Sequence, residues 1–516
     1  MSNTRLWFLL SLAATAGILA VTLLLPLGFD NDVYEAMGRT LYAYHGLPYL
    51  ASWDMNFPGI IFIHWASIAL FGASDFGFRL FDYLTHIAMA GMYFAVLREW
   101  LNPFQRFTAV TLYALYYASG QWGLAGQRDE YAVLFLLIAV LVYFQWYARP
   151  GSKRSYGPAV IIGVLCALAF LVRPTYLLFL LSFSIVFARN PFLPLKKSFL
   201  SALVVGFVVP TSILVLAYGV ERNGIVQLYN SVIRFNLEAY SGISVPVHLF
   251  TIGRAPIYIA AAIGLFFIAR KKRSKGMPSS TQHAALKREL LICFAVSALL
   301  SPIVMGKYFT YHFAPFMMIA IGFAAVGVNR MAEWISLPAL RPLSVVSLLI
   351  VFAACYYPRQ LIRIFLSELG NEHPVERTYE RVLDNSLTGI RAQNDVVAYI
   401  DRTLESDRPI EVASFFPSLR WRSGRPMATR FTSLVPLVPA VRSVPGYVSE
   451  WQREFITNIG TVRPKYIVLS KEHLWWPFAQ CYEDSAAHQV PGFDSVLAAN
   501  YRYDTTIHGY RLYRLR

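Results

Sequence analysis

The chain has 516 residues, 56% of them apolar and 15% charged, with 46 Lys and Arg against 30 Asp and Glu for a formal net charge of +16. Soluble domains carry roughly 25% charged residues, so this composition excludes an ordinary soluble fold and describes a polytopic α-helical membrane protein. The positive excess lies mostly in short loops between apolar runs, where it sets orientation in the bilayer; it reads as topology and not as a nucleic-acid site.

The first apolar run, Leu6 to Leu27, is about 20 residues long and has no clear small-x-small cleavage site, so it reads as a span rather than a signal peptide. Basic loops follow at Arg98–Arg106, Arg149–Arg154, Arg189–Lys197, Arg270–Arg288 and Arg330–Arg341. With these and Arg5 in the cytoplasm, spans fall at 6–26, 78–97, 106–121, 130–147, 157–172, 174–188, 198–219, 249–269, 289–305, 311–328 and 342–358, about eleven in all. An odd count leaves the tail outside. The run "FPGIIFIHWASIALFG", Phe57 to Gly72, is too short for a comfortable span, and counting it would put the basic loops on alternating sides. It is therefore expected along the outer interface, as an amphipathic or re-entrant helix. Tyr34, Met37, Leu41 and Tyr44 recur at helical spacing, so the first outer loop, 28–77, becomes a structured platform.

From about Arg359 the composition turns soluble. "RTYERVLDNSLTGIRAQNDVVAYIDRTLE" and "YVSEWQREFITNIG" read as helices, "PIEVASFF" and "KYIVLS" as buried strands, and "YRYDTTIHGYRLYRLR" as a closing hairpin. The expected organisation is a membrane domain, 1–358, and a soluble α/β domain, 359–516, of roughly 150 residues, enough for its own core. Four cysteines, Cys166, Cys293, Cys355 and Cys481, are too scattered for a disulfide framework or a zinc cluster. There is no internal repeat of the transporter kind and no low-complexity linker.

Ionisable residues gather at the outer turns. The first loop presents Asp30, Asp32, Glu35 and Asp54. "GQWGLAGQRDEY" adds Arg128, Asp129 and Glu130; "LVRPTY" places Arg173 before Pro174, a break between two short spans; "GKYFTYHFAP" brings Lys307 and His312; and Arg234, Asn236 and Glu238 follow the seventh span. Cations that grip phosphate oxygens beside a carboxylate that takes a proton from an attacking hydroxyl would suit a lipid-phosphate substrate.

The ordered motifs resemble a family. "FDNDVYEAMGRTLYAYHGLPY" followed by "WDMNFPGIIFIHWASIALFGASDFGFRL" is similar to the membrane glycosyltransferases of the C-type (GT-C) superfamily, particularly the bacterial aminoarabinose-transferase and protein O-mannosyltransferase branch. "RDEY", "RPTY" and "KYFTYHFAP" occupy similar places, and "RSGRPMATRF" with "RPKYIVL" resembles the soluble domain of many bacterial members. The resemblance spans nearly the whole chain, each motif being short by itself. It implies transfer of a sugar from a polyprenyl-phosphate donor to an acceptor hydroxyl, usually with inversion, by a multi-pass protein of a bacterial inner membrane whose tail is extracytoplasmic. The acceptor, a glycan, a lipid or a protein, stays open, as does the sugar. Asp30, four residues before Tyr34, matches the catalytic base; Asp32 is its alternative, because Asn31 stands where the family often has a second adjacent acid. Asp129 and Glu130 match an acidic position that orients the acceptor or a metal, and Arg173, Lys307 and Arg128, with His312 nearby, would hold the donor phosphate. A divalent cation is compatible with this scheme and not required by it.

Plainer roles stand beside these. Asp30 or Asp32 could cap the interfacial helix, Asp54 could fix the turn before Pro58, Arg128 and Asp129 could form a local ion pair, Lys307 could snorkel, and His312 could be a packed interface ring. Arg173 is costly without an anion partner. Other classes are a ligase or polymerase using polyprenyl diphosphate, which should carry a long outer loop rich in Arg and His, and a secondary transporter, which should place charge near the midplane, where these spans look almost free of it. An external sensor or scaffold would explain the tail alone.

Overall fold

The computed structural model of the protein describes residues 2–120, 125–149, 155–193, 195–240, 255–270, 280–335, 337–356, 359–384, 389–415, 417–438, 444–470 and 486–516. Cys481, residues 121–124 of the Gly120–Tyr131 turn and residues 271–279 of the basic loop lie outside the described residues. The described chain is mostly helical and forms two compact units: Met1–Leu25, Arg79–Leu214 and Val245–Ser367 in one, and Pro26–Phe78, Val215–Ser244 and Glu368–Arg516 in the other.

The first unit is the membrane unit. The described part of each of the eleven expected spans falls on a helix, residues 249–254 of the eighth and 357–358 of the last lying outside the described residues. Among the described residues six helices are long and apolar enough to cross a membrane: Thr4–Leu24, Asp75–Glu99, Arg128–Trp146, Lys196–Val220, Gln282–Met305 and Thr310–Ile335. Others are shorter, including Gly157–Val172, Pro174–Arg189, Ala255–Ile268 and Arg341–Ala354. Pro103–Ser119 is held at its start by an Asn102–Gln105 capping box, and its residues from Thr108 to Ala118 are buried, so its tyrosines need not meet lipid. Close helix contact depends on small residues: a Cβ built on Gly264 would strike the Phe323 carbonyl, and one on Gly327 the Ala260 carbonyl.

The second unit contains a four-stranded sheet. Strands β1 (Ile410–Ala413), β2 (Tyr466–Leu469), β3 (Tyr501–Ile507) and β4 (Tyr510–Leu515) lie in the order β1-β2-β4-β3. β1 and β2 are parallel and fully buried, β1 including the buried Glu411. β3 and β4 form the expected hairpin, turning at His508 and Gly509, both with positive φ. The segment predicted as one helix from Arg377 is two, Pro374–Asp384 and Ile390–Thr403, because Gly389 takes a left-handed φ of 62° ahead of the second.

The same unit includes the platform, which the motifs place in the first outer loop. Trp53 lies in one core with Phe235, Phe431 and Trp451, its ring centroid 5.1 Å from Phe235 and 5.4 Å from Trp451. Its backbone N–H donates to the Arg430 carbonyl at 2.7 Å. The platform is built on two packed helices, Phe29–Tyr44 and Gly59–Phe71. Gly38 permits their approach, since its Cβ would meet the Trp65 nitrogen at 3.0 Å. The Gly59–Phe71 helix has 13 residues, about 20 Å of rise against a hydrocarbon thickness of about 30 Å. Ile60, Ile61, His64, Ser67 and Ile68 are buried in the protein.

Candidate functional site

Two groups of buried ionisable side chains stand out, one in each unit. The acidic group is assembled on the Phe29–Tyr44 helix. That helix starts after Gly28 with no side-chain cap, so Asp30 and Asp32 occupy its first turn, where carboxylates favour the helix dipole, and do not serve as the N-cap that the sequence also allowed. Asp30 is half-buried. Asp32 is fully buried, and its Oδ1 accepts the Trp421 indole N–H at 2.7 Å. Glu35 is buried beside His64, with Oε2 2.8 Å from Nδ1; the His64 ring stacks on Phe78 at 4.2 Å and meets Tyr34 edge-on at 5.5 Å. Asp75 accepts Arg422 Nη2, the Leu27 N–H at 2.9 Å and the Tyr379 hydroxyl at 3.2 Å.

Burial, the largest influence, pushes the Asp32 carboxyl up to about 7, with Asp75 adding to the rise; Arg422 and the hydrogen bonds of Trp421 and Ser418 hold it back. Glu35 is raised well above its ordinary value by burial and then by the charges of Asp75 and Asp32, against Arg39.

The other named residues of this unit do less. Asp54 accepts from the backbone and side chain of Asn56 at 3.1 and 2.7 Å, the local turn before Pro58. Glu238 makes an exposed pair with Arg234 one helical turn earlier, at 2.9 Å.

The cationic group belongs to the membrane unit. Arg173 follows the Gly157–Val172 helix at the Pro174 break and is 2% exposed. It forms a buried ion pair with Asp129, which also accepts the Tyr176 hydroxyl at 3.0 Å. Arg173 is thereby supplied with its anion, and Asp129 is engaged by Arg173 where a local pair with Arg128 was the plainer expectation. Among the described residues the buried Arg173 Nη2 atom has no hydrogen-bond partner. Lys307 is buried in the turn after the Ser280–Met305 helix, and its ammonium is lowered by desolvation to about 8. His312 is buried, its Nδ1 2.7 Å from the Lys307 carbonyl. The charges of Arg173, Arg128 and Lys307 all bear on the His312 ring. Glu130 is buried on the first turn of the Arg128–Trp146 helix. Three cations, from three separate chain segments, thus act on His312.

For a metal the fit is poor. Among the described residues no group of three or more His, Cys, Asp and Glu forms a ligand set, and both Asp129 oxygens are hydrogen-bonded by Arg173 and Tyr176.

One network escaped the sequence reading, which took the span interiors as nearly free of charge. On the Asp75–Val96 helix, Arg79, Asp82 and His86 are all fully buried. Asp82 accepts the hydroxyls of Tyr117 at 2.7 Å and Tyr131 at 2.8 Å, and His86 Nε2 lies 3.4 Å away. The Tyr117 oxygen in turn accepts the Gly126 N–H at 2.7 Å, just before the Arg128–Glu130 turn. Asp82 with His86 four residues on, inside an apolar run, is the signal that finds it: an ionisable pair on one face of a span.

Residues 56–216 match a family model described as dolichyl-phosphate-mannose-protein mannosyltransferase. The fold is similar to ArnT from Cupriavidus metallidurans bound to undecaprenyl phosphate, with a TM-score of 0.59 and 14% identity over 98% of this chain and 97% of that one. It is similar also to the apo state of ArnT from the same organism, with a TM-score of 0.56 and 14% identity over 99% and 98%. No curated protein matches in sequence. At 14% identity the likeness to these structures lies in the fold.

Proposed function

We propose that the protein is a glycosyltransferase that moves a sugar from a polyprenyl-phosphate donor to an acceptor hydroxyl, on the outer face of a bacterial inner membrane, with inversion at the anomeric carbon. The carrying observation is the convergence of Arg128, Arg173 and Lys307 on His312, with a buried guanidinium nitrogen of Arg173 left for an acceptor. Anionic oxygens are the natural partners of such a group. The family-model match and the likeness to a structure solved with undecaprenyl phosphate support the same lipid-phosphate class.

In this reading Asp30 removes the acceptor proton. The acceptor oxygen forms its bond to the anomeric carbon as the carbon–oxygen bond to phosphate breaks, and the electron pair leaves on the phosphate oxygen. Arg173 and Lys307, with Arg128 and His312, stabilise the charge that grows there. The half-buried setting of Asp30 supports its role over Asp32, which is closed off under Trp421. Asp129 orients Arg173, and Glu130 is assigned to the acceptor. The membrane residues to 358 carry donor binding, and those from 359 stand outside the cytoplasm.

Purified protein in detergent, given a panel of polyprenyl-phosphate sugars, is expected to release polyprenyl phosphate from at least one of them. Release from none, alongside turnover of a polyprenyl-diphosphate donor, would replace this reading with a ligase or polymerase.

A further inference from the structure

We infer that Trp421 and Arg422 are positioning residues that grip the acidic first turn from both sides, through Asp32 and Asp75, and so hold the carboxylate of Asp30 in one orientation. The inference rests on the proposed role of Asp30 as base, and it gives the C-terminal residues a working part in the acidic site.

The indole N–H of Trp421 is a lone donor, and it is spent on Asp32 across 389 positions of chain. The grip has a second point two turns further on, where Arg39 Nη1 donates to the Trp421 carbonyl at 3.0 Å. Arg422 Nη2 lies 2.9 Å from Asp75 Oδ2 and 3.0 Å from Oδ1. Asp75 passes this hold to the Leu27 N–H, two residues before the helix begins. Asp30 therefore stands between two anchored positions, Leu27 and Asp32. The bend that delivers Trp421 and Arg422 closes on Gly424, whose φ is +63° and whose Cβ, if present, would collide with the Arg39 guanidinium. No residue but glycine fits there without moving Arg39.

Asp32 is faced by Arg422, Asp75, Trp421 and Ser418, and by Glu35 on its own helix; Arg39 and His64 stand against Glu35, and Tyr379 against Asp75. Removing the Trp421 hydrogen bond takes away a contact that favours the ionised carboxyl. An acid limb of the pH profile that reports this cluster then moves to higher pH.

The test uses the full chain in nanodiscs, comparing wild type with Trp421→Phe, Arg422→Gln, Arg422→Lys and the more remote Gly424→Ala. Amide exchange over residues 29–44 is followed beside kcat, donor KM and the pH profile. The grip predicts exchange at least about tenfold faster in Trp421→Phe and Gly424→Ala, kcat lower by about tenfold or more at unchanged donor KM, and an acid limb moved up by on the order of one pH unit in Trp421→Phe. Arg422→Lys should recover part of the loss seen in Arg422→Gln. Unchanged exchange overturns the inference, and so does faster exchange with unaltered kcat and pH limb, which would leave the contact merely structural. Gly424→Ala decides the matter if Trp421→Phe does not fold. Should wild type transfer no sugar at all, the glycosyltransferase reading falls, and faster exchange in the variants then shows only that these contacts order residues 29–44.

Discussion

Asp129 and Arg173, 44 positions apart, form a buried ion pair that Tyr176 completes from the other carboxylate oxygen. Breaking a buried pair by removing one partner strands the other charge at a cost of about 3–5 kcal/mol. Asp129→Asn should therefore unfold at lower temperature than wild type. A phosphate ligand supplies a new counter-charge, so the donor should raise the Tm of Asp129→Asn more than that of wild type; an equal rise would separate Arg173 from donor binding.

Lys307 carries a pH prediction. Its ammonium, lowered to about 8 by burial, is charged below that pH and neutral above it, whereas an ordinary lysine stays charged to about 10.4. Donor affinity should fall as pH rises through 8, and Lys307→Arg should carry it to higher pH. Lys307→Ala should weaken donor binding and leave acceptor KM unchanged. Donor titrations between pH 7 and 9.5 measure both.

Asp82 ties Tyr117 and Tyr131 together below the Arg128–Glu130 turn. Asp82→Asn keeps the shape and weakens both charge-assisted hydrogen bonds by about 1–2 kcal/mol together. The turn bearing Arg128 and Asp129 should loosen, seen as higher donor KM with a smaller change in kcat. A fall in kcat alone would assign Asp82 elsewhere.

The outer placement of the Gly59–Phe71 helix is tested with a cysteine at Leu70, which is 67% exposed. Impermeant thiol reagents should label it from outside intact cells. Labelling only after the cytoplasmic face is opened would invert the topology.

Much of this was legible before any coordinates. Apolar run length located the helices, because lipid leaves the backbone no other way to satisfy its polar groups. Short segments read as buried strands marked β1 and β2, and alternating faces marked the hairpin. Residue types singled out Asp30, with Asp32 as its alternative, and Arg173 and Lys307. Pairing was less legible: Trp421 with Asp32 and Arg422 with Asp75 join positions hundreds of residues apart, and nothing local in "RWRSGRP" announces a partner. The Asp82 network stayed hidden for a different reason, since a mean over an apolar span averages away one acid and one imidazole. The helix break at Gly389 was missed because high helix propensity on both sides outweighed a single glycine.

The central claim is that one carboxylate takes the acceptor proton while separate cations hold the donor phosphate. Its most direct test is single-turnover transfer by Asp30→Asn at saturating donor, measured together with donor Kd. The variant should bind donor within about twofold of wild type and transfer sugar slower by about 10² or more. Transfer at the wild-type rate by a folded Asp30→Asn protein would contradict the account.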